Sequence, residues 1–153
     1  MTEPELIHLE ARRLVGMRMR MSLAENKTFD LWRGFKPRVR EISNRKETSF
    51  YSLQNYDEGF RMADFTPHTM FEKWAAVEVE GDDDIPEGME VFTLPAGLYA
   101  VFIHKGLPSD FPKTAQYIYG QWLPASKYVY ENRPQFELLS EDYRPDDPNA
   151  EEE

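Results

Sequence analysis

The 153-residue sequence contains no cysteine and few histidines, and its acidic side chains outnumber its basic ones by ten. Without cysteine the chain has no thiolate nucleophile, no disulfide and no cysteine ligand for zinc or an iron–sulfur cluster. Its histidines are His8, His68 and His104, and none has a second ligand type three or four residues away on a predicted helix. We therefore predict neither a metal site nor a cofactor.

The sequence also lacks long apolar runs and an excess of basic residues. Its longest uninterrupted apolar run, 98–103, is six residues long, whereas a membrane-spanning helix needs about 20. The first ten residues are acidic and have no apolar signal region. The net charge of −10 opposes attraction to phosphate backbones and anionic lipids. We expect a cytoplasmic protein with no direct nucleic-acid partner and no membrane partner.

Motifs of the common enzyme classes are missing too. Phosphate-binding loops, nucleophile elbows, zinc-protease helices and calcium loops have no match in the sequence. What is present is a hydrophobic fraction of 41% and 21 aromatic residues, which is too apolar for a disordered chain. The length is most simply that of one domain, 1–153.

Hydrophobic periodicity predicts several strands and a pair of helices. The strands are predicted at 15–21, 49–56, 71–79, 89–94, 97–105, 128–130 and 135–139, and the helices at 28–43 and about 110–122. Pro37 weakens the first helix, Pro95 interrupts the strand region, and Pro124 ends the second helix. The segment 57–70 is predicted to be a long loop.

This order of elements predicts an α+β fold made of a duplicated β-α-β-β unit with antiparallel sheets. Module one covers about 1–80 and module two about 89–153. The second module lacks its last strand in this prediction, since the chain stops at Glu153 where that strand should begin.

Large aromatic side chains recur on the elements that should face one another. On spacing alone they are best interpreted as core, because aromatic burial dominates domains of this size. The alternative is a pocket in which rings bind a flat ligand and a partly buried carboxylate attracts its positive charge. The candidate ligand-binding residues are Tyr51, Trp74, Glu78, Tyr99, Phe102, Tyr119 and Trp122.

Five segments together resemble the GyrI-like small-molecule-binding family, also known as the effector-binding domains of AraC-type and MerR-type transcription regulators. These segments are 71–79, 86–90, 94–102, 122–128 and 133–137. The resemblance implies tandem β-α-β-β modules with an aromatic ligand cleft between them. It also implies an acidic residue just before the final strand, which by position is Glu153.

The resemblance implies three functions for a standalone member, and we expect this chain to be one, because the ligand domain uses all of its residues. The first is binding or sequestering a planar, apolar and cationic molecule. The second is hydrolysis of reactive cyclopropane-type compounds, with Glu153, or failing that Glu78, as the catalytic group. The third is an interaction with a protein partner, either inhibition of DNA gyrase or contact with a regulator. In that case the acidic tail, with a net charge of −6 over the last 14 residues, would contribute to binding a basic surface of the partner.

Overall fold

The computed structural model describes residues 3–61, 64–81, 84–105, 111–127, 134–140 and 151–152. Its strands are β1 (Glu5–Leu9), β2 (Arg12–Met21), β3 (Phe50–Asn55), β4 (Phe71–Glu78), β5 (Glu90–Leu94), β6 (Gly97–Val101), β7 (His104–Lys105), β8 (Gln135–Leu139) and β9 (Glu151–Glu152). Its helices are α1 (Thr28–Phe35), a 3-10 helix (Lys36–Glu41), α2 (Phe111–Tyr117), a π-helix (Ile118–Trp122) and α3 (Leu123–Ala125).

The central sheet has five antiparallel strands in the order β5-β2-β4-β3-β8. The element order strand, helix, strand, strand occurs first as β2-α1-β3-β4 and again as β7-α2-β8-β9. β3 and β8 occupy the same place in the two repeats and pair antiparallel, with Ser52 opposite Glu137. The predicted α+β fold with duplicated β-α-β-β units is therefore confirmed.

The helix α1 covers one side of this sheet, here called the helix face. Leu31 and Phe35 of α1 are buried against Val15, Ala75 and Val77. The alternation predicted for β2 is confirmed, because its odd-numbered apolar residues point to the helix face.

The predicted first helix was too long. The α-helix ends at Phe35 and the chain continues as the 3-10 helix, which has Pro37 in its first turn. A proline has no N–H for the α-helical hydrogen bond, and its ring crowds the preceding turn. The apolar stripe nevertheless extends past the change of helix, since Val39 packs on the same cluster.

A long bent strand pair joins the N-terminal segment to the middle of the chain. β2 pairs with β5 and β1 pairs with β6 in one unshifted register, with Leu9 opposite Gly97 and Arg12 opposite Leu94. Two residues in each strand, 10–11 and 95–96, lie outside the ladder and mark the bend. The predicted break at Pro95 is confirmed, whereas β1 was missed by the sequence analysis.

The second repeat is less regular than the first. The predicted helix at about 110–122 is confirmed in position, but its second half is a π-helix and Pro124 lies inside the short α3. The strand predicted at 128–130 lies outside the described residues. β9 pairs with β7 at the place where the final strand of the second module was expected to begin. No helix in the described ranges is long and apolar enough to cross a membrane.

Gly16 allows β2 and β4 to approach each other closely. It lies opposite Ala76, and a Cβ built on it would be 2.0 Å from the carbonyl oxygen of Ala75 and 2.7 Å from Cα of Ala76. These are backbone atoms of a central strand, so a side chain at this position requires the strands to move apart.

We predict that Gly16→Ala lowers the free energy of unfolding by about 1–3 kcal/mol, the range for inserting a methyl group into a packed interior. Gly34→Ala is the matched control, because a Cβ there has nothing within 4 Å and the residue lies in α1. Since alanine is the better helix former, Gly34→Ala should raise the free energy of unfolding by about 0.5–1 kcal/mol. Chemical denaturation measures both, and equal stability of Gly16→Ala and the wild type would contradict the close approach.

Candidate functional site

The side of the central sheet opposite the helix face carries a concentration of aromatic rings and is here called the aromatic face. Tyr51 of β3 and Trp74 of β4 are buried on it, and Phe92 of β5 and Phe136 of β8 pack against the same cluster. They share the face because alternate residues of a strand point to the same side.

Three of the rings form a continuous series across the junction of the two repeats. Tyr51 stacks on Phe136 with ring centroids 5.6 Å apart, and Phe136 meets Tyr99 of β6 edge to face at 5.7 Å. Tyr51 is fully buried, whereas Phe136 and Tyr99 are partly exposed. This ring series therefore runs from the interior of the first repeat to a partly open surface on the second.

Charged groups surround the hydroxyl at the buried end of the ring series. Arg12 donates from Nη1 to Tyr51 Oη over 2.6 Å, and Tyr51 Oη lies 3.5 Å from Glu78 Oε1. Lys46 Nζ lies 3.6 Å from Glu78 Oε2, and the backbone N–H of Lys46 donates to the carbonyl of Glu78. The Glu78 carboxylate, 10% exposed, thus has a cation on either side of it.

Burial raises the pKa of Tyr51 to about 12. The ionised phenolate would lose its hydration in the apolar interior, and the negative charges of Glu78 and Glu47 oppose it further. The hydrogen bond and charge of Arg12 act in the other direction but do not outweigh the burial. Tyr51 is therefore a neutral hydrogen-bonding group at physiological pH.

Trp74, another predicted ligand contact, is 3% exposed and already enclosed by neighbours. Its ring lies 5.3 Å from Phe92, and its indole N–H donates to Glu72. The guanidinium of Arg18 lies 6.0 Å from the ring centroid and is held by Glu72 and Glu90 at 2.6 Å each. A cation of the protein itself thus occupies the place beside this ring.

A second aromatic group lies at the end of the second helical region. Phe102 meets Trp122 edge to face at 5.2 Å and Tyr117 at 6.4 Å. Tyr119 lies on the same π-helix as Trp122 and is partly buried.

Beside Trp122 lies an open groove with a volume of about 400 Å³. It is lined by Glu3, Pro4, Leu6, Trp122, Ala125, Ser126 and Lys127. Leu6 and Ile7 point to opposite sides of β1, and Ile7 pairs with Tyr99. The groove and the ring series therefore lie on opposite sides of the β1–β6 strand pair.

The structure thus divides the predicted site residues. It brings Tyr51, Glu78 and Tyr99 together, places Trp74 farther along the same face, and assigns Phe102 and Trp122 to the groove side. Glu153 lies outside the described residues, so its predicted roles as a ligand contact and as a hydrolytic group stay predictions.

The sequence analysis missed two residues of this site, the middle ring of the series and the arginine at its buried end. Phe136 was noted only as part of a segment that resembles the family, although its place two residues after Pro134 in a strand pattern could have marked it. Arg12 had no local signal, because its contact with Tyr51 links positions 39 residues apart.

The aromatic face combines π faces with a carboxylate that is largely buried. Within the described ranges, no three His, Asp or Glu side chains come together as a metal site. The ring series supplies apolar area and π faces, and Glu78 supplies a negative charge in a partly dry environment.

The family model for the GyrI-like small molecule binding domain matches residues 2–153. A curated relative, the transcriptional regulator BrlR of Pseudomonas aeruginosa, is 29% identical over 146 residues, which are 95% of this chain and 51% of that protein. The chain therefore spans about half the length of this relative.

Solved structures share the fold at low sequence identity. The structure of SAV2435 bound to tetraphenylphosphonium is 18% identical with a TM-score of 0.75, and the match covers 99% of this chain and 90% of that one. A putative transcription regulation protein from Staphylococcus aureus MU50 is 17% identical with a TM-score of 0.73, covering 99% and 95% of the two chains. The C-terminal domain of EcmrR is 14% identical with a TM-score of 0.70, covering 98% and 92%.

We predict that Tyr51 makes the protein less stable at high pH. Because the pKa of Tyr51 is about 12 in the folded state and about 10 in an unfolded chain, folding retains a proton that the unfolded chain releases. The retained proton contributes about 2–3 kcal/mol to the free energy of unfolding. This contribution is fully present below pH 10 and is lost as the pH rises to 12. Chemical denaturation between pH 8 and 12 should show that the free energy of unfolding falls less for Tyr51→Phe than for the wild type. An equal fall in both proteins would contradict the burial of the hydroxyl.

Proposed function

Since the chain belongs to the GyrI-like small molecule binding domain family, we propose that it binds a planar, apolar and cationic molecule at the ring series Tyr51–Phe136–Tyr99. The observation that carries the proposal is the ring series itself, which crosses the β3–β8 junction and is partly exposed at its Tyr99 end. A ligand ring can extend this series by packing on Phe136 and Tyr99.

The energetics of aromatic contacts support an apolar, flat ligand. Each well-oriented ring pair contributes about 0.5–1.5 kcal/mol beyond the area that it buries. Phe136 and Tyr99 are each partly exposed, so a ligand that covers them removes apolar surface from water.

The electrostatics support a positive charge on the ligand. Glu78 lies at the buried end of the ring series, and the whole chain has a net charge of −10. A negative protein attracts cations at long range, and aromatic faces stabilise them at short range. The structural neighbour SAV2435 was solved bound to tetraphenylphosphonium, which shares the apolar, aromatic and cationic character of the proposed ligand, although only its individual phenyl rings are flat.

The relatives also support a role in effector recognition. BrlR is a transcriptional regulator, and the C-terminal domain of EcmrR, a protein also solved in a complex with DNA, shares the fold of this chain. We propose that the described fold is the part that recognises the small molecule.

Tetraphenylphosphonium is the direct probe of this proposal. We expect saturable 1:1 binding by isothermal titration calorimetry, and at least about tenfold weaker binding of uncharged triphenylphosphine oxide, which lacks the cation–π term. Phe136→Ala should weaken tetraphenylphosphonium binding by about tenfold, because it removes the middle ring of the series.

Trp122→Ala is the control, since Trp122 lines the groove on the other side of the β1–β6 pair. It should keep the wild-type Kd. Loss of binding in Trp122→Ala with normal binding in Phe136→Ala would instead place the ligand in the groove. Absence of saturable binding across a panel of aromatic cations would contradict the proposed ligand class.

A further inference from the structure

Arg12 stands at a special position in the strand framework. It is the first residue of β2, directly after the two residues that bend the β1–β2 strand, and it pairs with Leu94 just before the matching bend at 95–96. The even-numbered residues of β2 point to the aromatic face, where Leu14 is buried. Arg12 thus lies at the edge of the aromatic face nearest the bend.

The guanidinium of Arg12 is bound to the groups that a cationic ligand would seek. It donates to Tyr51 Oη over 2.6 Å, and the carboxylate of Glu78 lies 3.5 Å beyond that oxygen. Glu78 and Glu47 both attract the guanidinium electrostatically. A carboxylate enclosed among apolar groups requires such a counter-charge, because its own hydration is lost.

We propose that Arg12 is a resident cation that competes with the cationic ligand for Tyr51 and Glu78, and so limits the affinity of the site for cations. The inference rests on the proposed function. A guanidinium is planar, delocalised and weakly hydrated and stacks on aromatic rings, so it resembles the proposed ligand in chemistry. A second cation in the ring series is repelled by Arg12 unless the guanidinium moves away.

Lys46, the other cation at Glu78, does not compete in the same way. Its side chain is 49% exposed, and it lies between Glu78 and the exposed Glu80, at 3.6 Å and 3.9 Å. An ammonium group in this position is hydrated and screened by solvent. Arg12, in contrast, is partly buried and bonded to the innermost ring of the series.

A recurrence on the same strand supports this interpretation. Arg18, also on the aromatic-face side of β2, lies 6.0 Å from the Trp74 ring and is held by carboxylates. Tyr51 and Trp74, the buried rings of β3 and β4 on the aromatic face, are thus each accompanied by an arginine of β2. Arg18 thus lies where the Trp74 ring would hold a cation, and Arg12 is bonded to the hydroxyl of Tyr51.

Arg12→Gln is the decisive variant, because glutamine removes the positive charge and, although shorter than arginine, retains an N–H donor. We expect its Kd for tetraphenylphosphonium to fall by about tenfold relative to the wild type, the effect expected for removing one charged hydrogen-bonded competitor. The Kd for uncharged triphenylphosphine oxide should stay unchanged. Arg12→Met, which keeps side-chain bulk without a donor, should give the same shift and covers the case in which Arg12→Gln folds poorly.

Arg20→Gln is the matched control for net charge. It removes one positive charge from the other end of the same strand, where Arg20 pairs with the exposed Asp57. It should leave the Kd values for tetraphenylphosphonium and triphenylphosphine oxide unchanged. If tetraphenylphosphonium binds the wild type but binds folded Arg12→Gln and Arg12→Met equally or more weakly, the competition is overturned while the proposed function stands. If the wild type binds no aromatic cation, the proposed function itself fails and this inference with it.

Discussion

The antiparallel pairing of β3 with β8 is the constraint on which the rest of the structure depends. These strands hold the same place in the two repeats, and their five residue pairs extend the sheet of the first repeat by a strand of the second. The register sets Leu53 opposite Phe136 and Tyr51 opposite Leu138. A shift of one residue would turn Phe136 to the helix face, and the ring series would not exist.

Charge compensation on the aromatic face follows from the same arrangement. Burying rings next to Glu78 removes water that would otherwise solvate its carboxylate, so cations must come from the protein or from a ligand. The chain supplies Arg12 and Lys46. The site is therefore closer to electrical balance than the net charge of −10 on the whole chain suggests.

The sequence was sufficient for the elements whose signal is local. The alternation in β2 and the apolar stripe of α1 identified both, and Pro95 marked the bend between β5 and β6. β1 was missed because it has one solvent-exposed side and few residues, so pairing with β6 defines it more than its own pattern does. The π-helix left no signal distinct from that of an α-helix.

The site was predictable only as a set of residue types. The sequence analysis identified Tyr51, Tyr99 and Glu78, but not Phe136, and not that Trp122 and Tyr99 lie on opposite sides of one strand pair. That division follows from the register of β1 with β6, in which Ile7 and Tyr99, which are 92 positions apart, lie opposite each other. Arg12 was missed for the same reason, because its partner Tyr51 is set by the pairing of β2, β4 and β3.

The bend at 95–96 ties the ring series to the charges. Tyr99 donates its hydroxyl proton to the carbonyl of Pro95 at 2.8 Å, so the orientation of this ring is fixed to the bend itself. Arg12 begins the strand on the other side of the same bend, opposite Leu94. A ligand that packs on Tyr99 and one that displaces Arg12 therefore act on the same few backbone residues.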